Sequence, residues 1–119
     1  MRNVFVDTSA LIALFYSRDQ NHALARNTMQ ELVKSGRMLL MSDYILDETV
    51  TGIVADAGHD AAVRAGEFIL QSNIVQMIWL DEPVKRRAWD YFRQHDDKAF
   101  SFTDCTSFVL MKEMNVKRY

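Results

Sequence analysis

Val4-Phe5-Val6-Asp7-Thr8-Ser9-Ala10-Leu11-Ile12-Ala13-Leu14-Phe15 is the stretch on which the fold turns. Its β-branched and aromatic start, Val4-Phe5-Val6, reads as a short strand that stops at Asp7. Thr8 or Ser9 is expected to cap a helix over 10–16 by accepting a hydrogen bond from a free first-turn amide. A strand that runs straight into a capped helix is the opening of a β–α unit, and the rest of the chain repeats that alternation.

Moving outward, apolar positions Ala25, Met29, Leu32 and Val33 recur at helical spacing and predict a helix over 20–34. Lys34-Ser35-Gly36 supplies its stop, with glycine free to take a positive φ. Met38-Leu39-Leu40-Met41 has the length of a strand buried on both faces. Ser42 or Asp43 then caps a third helix to position 57, whose expected core stripe is Leu46, Val50, Ile53, Val54 and Ala57. A fourth helix is expected over 60–71, with Gly66 inside it, and a third strand over 74–79. Asp81-Glu82-Pro83 opens a further helix to about position 94, where proline's missing amide does no harm. A loop over 95–102 leads to a last helix starting at Thr103, and 116–119 begins another strand. Short apolar strands separated by crossover helices predict an α/β domain with a parallel sheet and helices on both faces. In such sheets ligands gather beyond the carboxyl ends of the strands.

Composition limits what such a domain does. The 119 residues make one domain, and 49% hydrophobic with 25% charged residues excludes a disordered or low-complexity chain. Fourteen basic against sixteen acidic residues give a net charge of −2, so no bulk basic surface holds nucleic acid. Residues 1–60 carry five basic side chains and 61–119 carry nine, so any polyanion contact should draw on the second half. The single cysteine, Cys105, rules out an internal disulfide framework and fits a reducing compartment. No apolar run approaches the ~18 residues that span a membrane, and Asp7 interrupts the one stretch resembling a leader. The expectation is a cytoplasmic protein.

Three acids stand where chemistry is expected. Asp7 closes a strand and precedes a helix, a position that also suits an ordinary cap. Glu48 shares a helix face with Tyr44 and Thr51, away from the expected core stripe, where a solvated glutamate is equally at home. Asp104 lies in Ser101-Phe102-Thr103-Asp104-Cys105-Thr106, again near a helix start where capping alone would explain it. If the three converge, their repulsion calls for a cation, and hard oxygen ligands suit Mg²⁺ or Mn²⁺. Such an ion polarises a phosphodiester and activates water, so no serine or cysteine nucleophile is needed. Thr8 and Ser9 can hydrogen-bond the acids or a phosphate, or simply serve as caps.

Together, Val4-Phe5-Val6-Asp7-Thr8-Ser9-Ala10, Leu46-Asp47-Glu48-Thr49 and Phe100-Ser101-Phe102-Thr103-Asp104-Cys105-Thr106-Ser107-Phe108 resemble the PIN domain, specifically the VapC-type toxin ribonucleases. The resemblance runs over essentially the whole chain and implies one three-layer α/β/α domain, 1–119, with a central parallel sheet. It implies a metal-dependent endoribonuclease with Asp7, Glu48 and Asp104 around Mg²⁺ or Mn²⁺, and Thr8 or Ser9 as the accompanying hydroxyl. Thr103 and Asp97 become auxiliary candidates on the same ground. Partners implied are RNA, a small antitoxin and a second copy of the chain. The family usually continues with a further strand, a fourth acid and a C-terminal segment, which this chain is expected to lack. That departure leaves a second reading, a catalytically impaired module that acts by binding an antitoxin or itself.

Other motifs are weaker. His22, His59 and His95 lie more than thirty residues apart and make no zinc spacing with Cys105. Asp7-Thr8-Ser9 lacks the second aspartate of a phosphatase loop, which disfavours a phospho-aspartate domain. Arg86, Arg87 and Arg93, interleaved with Lys85, Trp89, Tyr91 and Phe92, form the densest basic-aromatic stretch and are candidate RNA contacts. The competing expectation for that helix is a solvated face with Trp89 and Phe92 packed into the core.

Overall fold

The apolar runs do become neighbours. The computed structural model describes residues 3–118. Its elements are β1 (Val4–Phe5), α1 (Thr8–Phe15), α2 (His22–Lys34), β2 (Leu39–Ser42) and α3 (Asp43–Ala57). They continue with α4 (His59–Gln71), β3 (Val75–Ile78), α5 (Glu82–Gln94), α6 (Phe102–Met114) and β4 (Lys117–Arg118). The strands pair in parallel in the order β3-β2-β1-β4. Val4 lies opposite Leu39, and Leu39 opposite Val75, so the central strands are buried on both faces.

Handedness turns that order into layers. The chain steps from β1 to β2 to β3 in one direction, so right-handed crossovers put α1–α4 on one face. It then returns across the sheet to β4, which places α5 and α6 on the other. The packing agrees: α1 meets α2 and α3, α3 meets α4, and α5 packs on α6. The domain is α/β/α around a parallel sheet, and the reversal of strand order falls between β1 and β4. Because Lys117–Arg118 pairs with Val4–Phe5, β1 is an inner strand. The rest of the expected 116–119 strand, at Tyr119, lies outside the described residues.

Several local expectations need correction. Asp7, rather than Thr8 or Ser9, caps α1: its Oδ1 accepts from Ala10 N–H at 3.2 Å, and the helix already includes Thr8. Ser42, one of the two expected caps, does cap α3, its Oγ accepting from Ile45 N–H at 3.2 Å. The buried stripe of α3 is Ile45, Thr49 and Ile53, while Val54 and Ala57 are exposed. Of the expected stripe, Ile53 is buried against Ala62 and Ala65 of α4, and Leu46 and Val50 are half-buried against the core. The last helix starts at Phe102 with Ser101 as its cap, placing Thr103 inside the first turn. Trp89 and Phe92 do not enter the core: they are 53% and 38% exposed and stack on each other at 5.7 Å. The reason is that α5 buries Val84 and Ala88, while the two rings, three residues apart, lie together on one flank of that row, against Phe102. Among the described residues no helix is long and apolar enough to cross a membrane.

Candidate active site

Three separate elements deliver three acids to one hollow. Asp7 follows β1 at the carboxyl edge of the sheet and starts α1. Glu48 lies just past the first turn of α3, which begins where β2 ends. Asp104 lies in the first turn of α6, on the opposite layer. A hollow of about 290 Å³ is lined by Asp7, Thr8, Ser9, Ile12, Ile45, Glu48, Asp104 and Ser107. It sits where ligands bind in open parallel sheets, beside the β1/β4 reversal.

Each acid is oriented by a hydrogen bond of its own. Thr8 Oγ1 donates to Glu48 Oε1 at 2.9 Å, which ties the first residue of α1 to α3. Ser9 Oγ donates to Asp7 Oδ1 at 3.0 Å, the same oxygen that accepts from Ala10 N–H. Asp104 closes a capping box with Ser101: its Oδ2 accepts from Ser101 N–H and its N–H donates to Ser101 Oγ, both at 3.0 Å. Capping and site placement are thus compatible for Asp7 and Asp104, because a carboxylate at a helix N-terminus has favourable partners and still faces the hollow's rim. Close approach of α1 to α3 is part of this arrangement. A Cβ at Gly52 would stand 2.7 Å from Ile12 Cδ1, and Ile12 is a wall of the hollow.

The donor set is hard oxygen throughout: three carboxylates and the hydroxyls of Thr8, Ser9 and Ser107. That chemistry fits Mg²⁺ or Mn²⁺. Among the described residues no three His, Cys, Asp or Glu side chains are already gathered into a ligand set. Mg²⁺ characteristically keeps several of its waters, so such an ion needs few direct carboxylates.

The remaining candidates are placed elsewhere. Thr103 is half-buried, and its carbonyl accepts from Thr106 Oγ1 at 2.6 Å. Asp97 is exposed in the loop before α6, 3.7 Å from Lys98 Nζ. Arg86 pairs with Glu82, Arg93 with Asp90, and Arg87 forks Glu113 through two nitrogens. None of these five lines the hollow. The Glu113 carboxylate holds the Arg87 guanidinium above its ordinary range, so that cation persists at any working pH. Cys105, next to Asp104, is wholly buried, and burial, with a smaller effect from the Asp104 charge, pushes its thiol up. It is therefore a core filler and no nucleophile. A second hollow of about 220 Å³, between α1 and α2, is lined by no acid and offers no such chemistry.

Sequence reasoning missed Ser107. The signal was present: it lies three residues after Asp104, on the same face of α6.

The PIN domain family matches residues 4–118. The chain is 31% identical to the 23S rRNA-specific endonuclease VapC20 of Mycobacterium tuberculosis, over 96% of this chain and 84% of that protein. It is 29% identical to a VapC ribonuclease of Archaeoglobus fulgidus, over 94% of this chain and 72% of the other. The crystal structure of the M. tuberculosis VapC20, described as a Sarcin-Ricin loop cleaving toxin, superposes with a TM-score of 0.84 over 96% of this chain and 85% of that one.

Proposed function

This chain belongs to the PIN domain family, among the VapC ribonucleases, and on that premise we propose that it is a toxin endoribonuclease whose RNA cleavage requires Mg²⁺ or Mn²⁺. The single observation that carries the metal-dependent reading is that Asp7, Glu48 and Asp104, from three elements and both helical layers, line one hollow.

Asp7, Glu48 and Asp104 are the residues that would hold the ion, directly or through its waters. When bound, the cation supplies neutralisation of the phosphodiester's charge and a water acidic enough to act as nucleophile near neutral pH. The protein's own part is orientation. Thr8 fixes the Glu48 carboxylate, Ser9 and the α1 amide fix Asp7, and the Ser101 backbone fixes Asp104. Ile12 and Ile45 form apolar walls that limit water beside the acids. The acidic hollow repels bare RNA phosphates, so cleavage waits on the cation's positive charge.

The rest of the reading follows the class of the relatives: one domain over 1–119, an RNA substrate, an antitoxin partner, self-association and a cytoplasmic setting. Arg86, Arg87 and Arg93 stay candidates for RNA contact on the exposed side of α5, where exposed ion pairs are weak enough to exchange for phosphate.

The test is RNA cleavage by purified protein with added Mg²⁺ or Mn²⁺. Cleavage should stop on chelation, return with metal, and leave 5′-phosphate and 3′-hydroxyl ends. Cleavage indifferent to EDTA would overturn the metal reading.

A further inference from the structure

Ser107 is 3% exposed, lines the acid hollow, and its Oγ has no hydrogen-bond partner among the described residues. A helical serine has an easy way to satisfy itself, by donating back to a carbonyl one turn earlier. Its neighbour Thr106 does so, to Thr103 O at 2.6 Å. Ser107 leaves that bond unmade, and a buried hydroxyl without a partner is destabilising. The three acids of the hollow, by contrast, are each tied to the protein by a hydrogen bond of their own.

Resting on the metal-dependent reading above, we propose that Ser107 is a positioning residue for the cation, its hydroxyl holding a water of the hydrated Mg²⁺ or Mn²⁺ rather than the metal itself. A bound Mg²⁺ keeps several waters, and those waters need partners on the wall of the hollow. Ser107 is the buried wall residue with a hydroxyl unspent. It stands one helical turn beyond Asp104 on the same face, so a water bridging from an ion at Asp104 is within the geometry of α6. Such outer contacts tune metal affinity strongly.

A control is built into the fold. Thr49 is 0% exposed and its hydroxyl also lacks a partner, but it does not line the hollow. The experiment uses the full chain and compares wild type, Ser107→Ala and Thr49→Val for metal-free Tm and for Mn²⁺ affinity by calorimetric titration. Ser107→Ala should keep or raise the metal-free Tm, since it removes an unsatisfied group from a helix. Its Mn²⁺ binding should weaken about tenfold, with a smaller Mn²⁺-induced rise in Tm. Thr49→Val should bind Mn²⁺ like wild type. The inference is overturned if Ser107→Ala lowers the metal-free Tm, if its Mn²⁺ affinity matches wild type, or if Thr49→Val loses affinity equally. A wild-type protein that binds no Mn²⁺ and shows no EDTA-sensitive cleavage takes down the metal reading too. Normal binding and cleavage in both wild type and Ser107→Ala removes only the role of Ser107.

Discussion

Asp7 has two jobs in this structure, and a pair of substitutions separates them. As cap of α1 its Oδ1 accepts from Ala10 N–H at 3.2 Å; as a wall of the acid hollow it is a candidate ligand. Asparagine caps as well as aspartate, so Asp7→Asn forfeits only the charge at the helix terminus, about 0.3–1 kcal/mol at a half-buried site. Alanine forfeits the cap too, for about 1–2 kcal/mol in all. For a chain of this size about 1 kcal/mol moves Tm by roughly 4 °C. Thermal denaturation should therefore place Asp7→Asn within about 4 °C of wild type and Asp7→Ala roughly 4–8 °C below it. Cleavage of RNA at saturating Mg²⁺ should behave differently, falling at least about 100-fold in both, because even outer-shell changes at metal sites cost 10–100-fold. The two measurements decouple only if the carboxylate is needed for chemistry and the acceptor oxygen for the fold. An Asp7→Asn protein that is stable and cleaves RNA at the wild-type rate would show that the Asp7 carboxylate has no part in the chemistry.

Further outcomes follow from particular contacts. Thr8→Val keeps shape but removes the donor to Glu48; it should lower stability by about 1 kcal/mol and slow cleavage by about tenfold, read from Tm and single-turnover rates. Gly66→Ala should raise stability by about 0.5–1 kcal/mol in a denaturant titration, because the added Cβ meets only Val50 Cγ2 at an ordinary 3.5 Å while helix propensity improves. Cys105, buried and with its thiol pushed up, should resist alkylation in the native protein at pH 8 and react at once in denaturant. By the same sign its contribution to stability is complete below the ordinary thiol range and is lost as pH rises through the raised value, which alkaline Tm measurements of wild type against Cys105→Ala would read.

What the chain reveals by itself is periodicity and punctuation. The runs Val4–Phe5 and Leu39–Ser42 are strands because β-branched, aromatic and aliphatic residues are massed too briefly for a helix, and Gly36 and Gly58, both with positive φ, mark helix ends. Those signals are local, so the α/β class and the three motif acids were legible without coordinates. The faces of the helices were less so. On α3 Ile53 is buried as expected while Val54 and Ala57 are exposed, and Trp89 and Phe92 stay outside, because burial depends on which neighbour a helix meets as well as on its own spacing. Convergence could not be read from spacing, and only the family resemblance implied it. Asp7 and Asp104 are separated by most of the chain, and only the return of β4 to the side of β1 brings α6 to the start of α1. The same holds for Ser107, whose hydroxyl is ordinary in sequence and conspicuous only when the packing around it denies it a partner. Sequence determined the parts and their order, since backbone preference acts over a few residues. Tertiary structure decided which oxygens share a hollow, since that depends on how distant segments cross the sheet.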